Sequence, residues 1–157
     1  MKREEVRAFL KAGVDAVKLS FDAGRLSEFN KVADKGFPFA WIYELQAASD
    51  FGGSGATLID DWSVTIRIVK QDKADSIQDE YEHIIDDCDH IARQLIWQYN
   101  RILQTSTSIS TANQNIYKLI TISQITRPPV IKWGADVMTG VDLVMNLNSP
   151  DKTDVCP

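Results

Sequence analysis

Disulfides cannot organise this chain. It holds two cysteines in 157 residues, Cys88 and Cys156, and no CxxC pair. That excludes a stapled secreted scaffold and a CxxC ligand pair for zinc, and it predicts reduced thiols. Long apolar runs are missing too. Nothing approaches the roughly 18 to 20 apolar residues that span a bilayer, and MKREEVRAFL is charged where a signal peptide turns apolar. The expectation is a soluble protein made in the cytoplasm, with no membrane partner. Positive charge is scarce: 17 Lys and Arg stand against 22 Asp and Glu, a net charge of −5. Phosphate affinity comes from clustered cations, so this balance argues against a protein whose task is gripping nucleic acid. The glycine-rich GGSG of Gly52 to Gly55 lacks the lysine of a phosphate-binding loop and precedes a strand, which predicts a flexible loop and no anion cradle.

What is present describes one globular unit. The length falls in the range of about 100 to 200 residues usual for a domain, and 44% apolar residues are ordinary for a chain that buries about two thirds of its unfolded surface. We read residues 1–150 as a single α+β domain and 151–157 as a C-terminal tail, frayed or docked on another copy.

Val6, Phe9, Leu10, Val14 and Val17 recur at helical spacing behind Glu4 and Glu5, which predicts an amphipathic helix over residues 2–19. The glycine-containing segment from Phe21 to Gly36 reads as irregular connection. Next, FPFAWIYEL alternates, with Phe37, Phe39, Trp41, Tyr43 and Leu45 on one face of a strand over about 37–46. Ala47 to Ala56 is small, polar and glycine-rich, the text of a mobile loop. DDWSVTIRIVKQ then alternates Trp62, Val64, Ile66 and Ile68 against Ser63, Thr65 and Arg67.

From Lys73 to Leu103 a long helix is predicted, with Ile77, Tyr81, Ile84, Cys88, Ile91, Leu95, Tyr99 and Ile102 on one stripe. Two further strands follow, about Ile116 to Thr126 and Val137 to Leu147, joined by a loop RPPVIKWGAD. The order α-β-β-α-β-β favours a mostly antiparallel four-stranded sheet with two helices packed on one face. The other face is expected to carry Ile42, Val69, Met138 and Val144, too apolar to be merely solvated.

No residues assemble into catalytic chemistry. His83, Asp87 and His90 have the spacing of helical metal ligands, but their centre lies about 130° from the apolar stripe, which places them in water. Asp60 with Asp61 and Asp86 with Asp87 are sequence neighbours that point apart. Cys88 falls on the stripe and reads as a small core hydrophobe. The expectation is no enzyme, no cofactor and no metal. Acids dominate from Asp72 to Arg93, where Asp72, Asp75, Asp79, Glu80, Glu82, Asp86, Asp87 and Asp89 face only Lys73 and Arg93, whereas residues 1–35 are slightly basic. That polarity suits head-to-tail contact between copies or, more plainly, a solvated helix face. Pro128, Pro129, Val130, Ile131 and Trp133 form an apolar loop, which either folds back on the core or meets a partner.

The element order, the FPFAWIYEL strand, the glycine-rich loop after it and the closing TGVDLVMNLNSP strand together resemble the tail terminator and head-to-tail joining (neck) proteins of tailed bacteriophages and prophages. The resemblance spans about Met1 to Pro150. It implies a structural virion protein without catalytic residues, made in the bacterial host and forming a homo-oligomeric ring, commonly a hexamer, with twelve-fold symmetry an alternative. Such a ring joins the tail tube to connector or portal-side proteins around a channel through which DNA passes without sequence-specific binding. The resemblance makes the 47–59 and 127–136 loops contact candidates, with Phe51, Leu58, Arg127, Val130, Ile131 and Trp133 as the interface residues. A small ligand-binding domain or a dimeric adaptor pairing through an edge strand stand as alternatives. The long FDAGRLSEFN connection and the acidic helix depart from the pattern and fit another neck ring protein as well.

Overall fold

Two long strands form the spine of the molecule. β4 (Leu58–Gln71) and β7 (Met138–Pro150) run antiparallel in unbroken register from Ile59 opposite Pro150 to Gln71 opposite Met138. The computed structural model describes residues 3–24, 38–51, 58–105, 120–134 and 136–150. The remaining elements are α1 (Arg3–Ala16), β1 (Ser20–Gly24), β2 (Phe39–Tyr43), β3 (Gln46–Phe51), α2 (Gln78–Thr105), β5 (Thr121–Thr126) and β6 (Pro129–Trp133). Phe37, the GGSG segment, Ile116, Lys118, Cys156 and the 151–157 tail lie outside the described residues.

The fold is α+β with a mixed, seven-stranded sheet of order β1-β2-β4-β7-β5, in which β3 also pairs with β4 and β6 with β7. This corrects the expected four-stranded sheet, for a local reason. β2 and β3 pair with successive stretches of β4, and β5 and β6 with successive stretches of β7. Each outer strand is thus broken once. The first break, at Glu44 and Leu45, carries Leu45 into the helix-side core. At the second, Pro128 accepts a hydrogen bond from the Asp142 amide at 2.9 Å. β1 adds a parallel edge to β2 where irregular chain was expected.

Part of each expected loop is a strand as well. Gln46–Phe51 is pinned against Ser63 to Leu58, and Pro129–Trp133 against Val141 to Met138. Ladder pairing with a long neighbour outweighs weak local propensity.

One sheet face and the two helices share a core. Val64, Ile66, Ile68, Val141, Leu143, Met145 and Leu147 meet Val6, Phe9, Leu10 and Val14 of α1 and Cys88, Ala92, Leu95 and Tyr99 of α2. Tyr99 locks the helices together. Its ring lies 5.1 Å from that of Phe9, and its hydroxyl donates to the Leu10 carbonyl at 2.9 Å. Gly13 makes the crossing possible, since a Cβ there would stand 2.2 Å from Tyr99 Cε1.

The long helix begins at Gln78, five residues later than predicted. Its start is set by Glu80, whose carboxylate accepts from the Ile77 amide at 3.2 Å, one half of a capping box. Ile77 therefore precedes the helix and is 65% exposed, off the predicted stripe. Register corrects β2 in turn. Cross-strand partners share a face, and Ile42 lies opposite Ile66 while Trp41 lies opposite Arg67. Ile42 points to the helices; Phe39 and Trp41 point away.

Candidate functional site

The face turned from the helices divides in two. At one end Phe39, Trp41, Val69 and Met138 form a buried second cluster, flanked by Tyr43 and Trp133. The Phe39 and Trp41 rings stack at 6.5 Å. Gly140 lets the strands close here, because a Cβ would fall 2.0 Å from the Ile68 carbonyl oxygen, a backbone atom that cannot swing aside.

Next to this cluster sits a two-pronged ion pair. Arg67 donates from Nε to Asp142 Oδ1 and from Nη2 to Oδ2, both at 2.7 Å, on side chains only 12% and 16% exposed. Register 67↔142 across β4 and β7 sets the two opposite each other. The guanidinium lies 4.4 Å from the Trp133 ring and 5.2 Å from the Tyr43 ring, within cation–π range of both. Burial works against the Arg67 charge, but the hydrogen bonds and charge of Asp142 outweigh it and raise its pKa. Burial also pushes the Tyr43 phenol up to about 12, against the opposing pull of Arg67. Tyr43 is neutral at ordinary pH, and both Asp142 oxygens are held by Arg67. The pair positions and orients; it offers no free base.

Beyond it the face opens into a concavity of about 510 Å³ lined by Tyr43, Glu44, Gln46, Ser63, Thr65, Arg67 and Asp142. A second hollow, about 610 Å³, lies between the C-terminal half of α2 and β5, where Trp97 is 59% and Ile125 38% exposed. Ile96, Leu103, Ile120 and Ile122 line it as well.

The six residues expected at an interface fall into two groups. Phe51 and Leu58 are register partners at the β3–β4 end. Arg127, Val130, Ile131 and Trp133 sit near or on β6, which pairs with the opposite end of β7; at about 3.4 Å per residue those ends are roughly 40 Å apart. They do not form one surface. Arg127 is used internally, pairing with Asp89, which Arg93 also holds at 2.8 Å. Burial opposes the Asp89 charge, but these hydrogen bonds prevail and lower its pKa. Val130 is buried and Trp133 half-buried over Arg67. Ile131 alone of the β6 three presents a large exposed side chain, at 49%.

His83, Asp87 and His90 are exposed on α2, with Asp87 bonded to Lys70 at 2.7 Å, and no group of three or more potential metal ligands gathers among the described residues. Cys88 is fully buried, and burial pushes its thiol up to about 11. It packs as a core residue.

Sequence reasoning missed the Arg67–Asp142 pair and the Trp97 groove. Arg67 and Asp142 each fall in the outward phase of an alternating strand, but only register makes them opposite. Trp97 lies off the apolar stripe of a helix, and that was its available signal. In comparisons with known proteins, no family model and no curated protein matches the chain.

Proposed function

We propose that this chain is a structural, ring-forming subunit of a tailed phage or prophage, a tail terminator or head-to-tail joining protein linking the tail tube to connector-side proteins around a DNA channel. The observation that carries the reading is the exposure of four large apolar side chains, Ile77, Trp97, Ile125 and Ile131, of which Trp97 and Ile125 share one groove. The Trp97–Ile125 groove is where that apolar area is concentrated, and such a patch marks surface that another protein covers. The coarse part of the resemblance gives support as well: the chain is α+β, and two helices share a core with one sheet face. A net charge of −5 suits a channel wall that lets DNA pass. The ring is a hexamer in this reading, and assembly occurs in the virion.

The test is the mass of the purified protein across concentration, by native mass spectrometry or light scattering, with imaging of any large species. A closed six-fold ring agrees with the terminator reading and a twelve-fold ring with a neck adaptor. A monomer at every concentration counts against both.

The concavity beside Arg67 favours a second reading, a small ligand-binding domain. Its mark would be a monomer whose melting temperature rises with a polar small molecule and loses that response in Thr65→Val. No response from any member of a broad polar-ligand panel would remove this alternative.

A further inference from the structure

Among the described residues four strands have one sheet neighbour each, β1, β3, β5 and β6, and of these β3 and β5 lie at the same end of the sheet. Among those residues β3 pairs with β4 alone, and β5 with β7 alone. Open edges are templates for another strand, and proteins that remain single usually guard them with lysine, proline or a bulge. Gln46–Phe51 contains neither lysine nor proline and a single charge, Asp50; Thr121–Thr126 contains no charge at all. The one guard is the bulge after Ser123, which confines regular pairing on β5 to Thr121, Ile122 and Ser123.

The two edges are complementary. β3 is antiparallel to β4, β4 to β7 and β7 to β5, so β3 and β5 run in opposite directions on opposite sides of the same end of the sheet. Set beside β5 of one copy, β3 of another copy would continue the antiparallel alternation without reversing the sheet. Its faces match too. Ala47 and Ser49 lie opposite Trp62 and Asp60, in the helix-side phase, and Ile122 lies opposite Leu147 in that same phase. A continued sheet would lay the two smallest side chains of that phase over the hollow holding Trp97 and Ile125.

We infer that copies of this chain join through β3 of one and the β5 edge with its Trp97 groove of the next, by antiparallel strand addition. The contact uses two different surfaces of the chain, so each copy has one of each to offer. Contacts of that kind repeat around a closed ring or along a filament, where a two-fold dimer would use one surface twice. The inference rests on the self-assembly reading above and specifies the surface that carries it.

The experiment combines two variants with a cross-link. Trp97→Glu puts charge in the groove, and Ala48→Lys puts the usual guard on the β3 edge; both positions are exposed, so the far-ultraviolet spectrum and melting temperature should stay as they are. Each variant is expected to weaken association by roughly 30-fold, the scale of a central tryptophan contact. In a Cys156→Ser background, Ala48→Cys with Ser123→Cys, both in the phase turned from the helices, should give a covalent ladder between copies with a short bismaleimide, while each single cysteine should stop at dimers. An unmodified protein that assembles while both variants assemble equally well and no ladder forms overturns this contact and leaves the ring reading standing. An unmodified protein that is monomeric at every concentration overturns both.

Discussion

The two faces of the sheet are built from the same strands and solve opposite problems. Toward the helices, β4 and β7 present Val64, Ile66, Ile68, Leu143, Met145 and Leu147, all fully buried. There burial is uniform, and stability scales with apolar area removed from water, about 25 cal/mol per Å². Away from the helices the alternate residues of the same strands are Ser63, Thr65, Arg67, Val69, Asp142, Val144 and Asn146. That face is held by a small aromatic cluster and one ion pair, and much of its floor is open. The lesson is that one face specifies the fold while the other is free to vary in chemistry, as an assembling or binding surface must be.

The largest effect expected from breaking this contrast is on the sealed face. Cys88→Asp would place a carboxylate among Ala92, Leu95 and the β7 core at a site with no exposure, where the cation that acts on it, Lys70, is already held by Asp87. Burying an unpaired charge costs several kcal/mol, comparable with the whole stability of a small domain. The expected outcome is loss of the cooperative thermal transition, read by circular dichroism. A variant that melts like the parent would mean that the helix is packed in a different phase.

A smaller but still large effect is expected on the open face. Asp142→Ala strands the Arg67 guanidinium between Trp133 and Tyr43, and breaking a mostly buried pair from one side costs about 3 kcal/mol. Arg67→Met with Asp142→Leu removes both charges and should recover most of that loss. Urea denaturation of the single and double variants measures the difference. If Asp142→Ala proves as stable as the parent, the pair is solvent-screened and this face is more open than its 12% and 16% exposures imply.

The same contrast explains what could be read from the sequence. Strict alternation in WSVTIRI and in VMTGVDLVMNL, and the three-four rhythm through Cys88, Leu95 and Tyr99, follow from burial against a continuous partner, and they place the spine, the helices and the sealed core. Register leaves no such trace. FPFAWIYEL is apolar in both phases, so its alternation cannot say which side meets the helices; Ile66 opposite Ile42 decides it. Gln46–Phe51 and Pro129–Trp133 look like loops because their order comes from pairing with the strands that follow them, β4 and β7, and not from their own composition. Of the residues named for an interface, Ile131 is exposed, while Arg127 answers to Asp89 across 38 residues, a pairing no local pattern announces.

The smallest expected effect concerns the seams between helix and sheet, where carboxylates tie the layers at their margins. Asp72 accepts from the Thr139 hydroxyl at 2.6 Å, joining the β4–α2 turn to β7, and Asp89 joins α2 to Arg127. Burial raises the Asp72 pKa, but hydrogen bonds from Thr139 and the Lys73 amide outweigh it, and the result lies below the usual carboxylate value, as it does for Asp89. Unfolded, an aspartate titrates near about 3.9. With the folded values lower, the unfolded chain binds more protons in the window between, so the stabilisation is complete above about pH 5 and is lost as pH falls through the folded values. Urea midpoints should therefore be flat from neutral pH down to about pH 5 and then decline, with Asp72→Asn and Asp89→Asn each lowering the neutral plateau and flattening the acid decline. Charge on the sealed face would change stability at every pH, whereas these marginal carboxylates change its slope in acid. Equal acid slopes in parent and both variants would locate the acid sensitivity elsewhere and reduce the seams to packing alone.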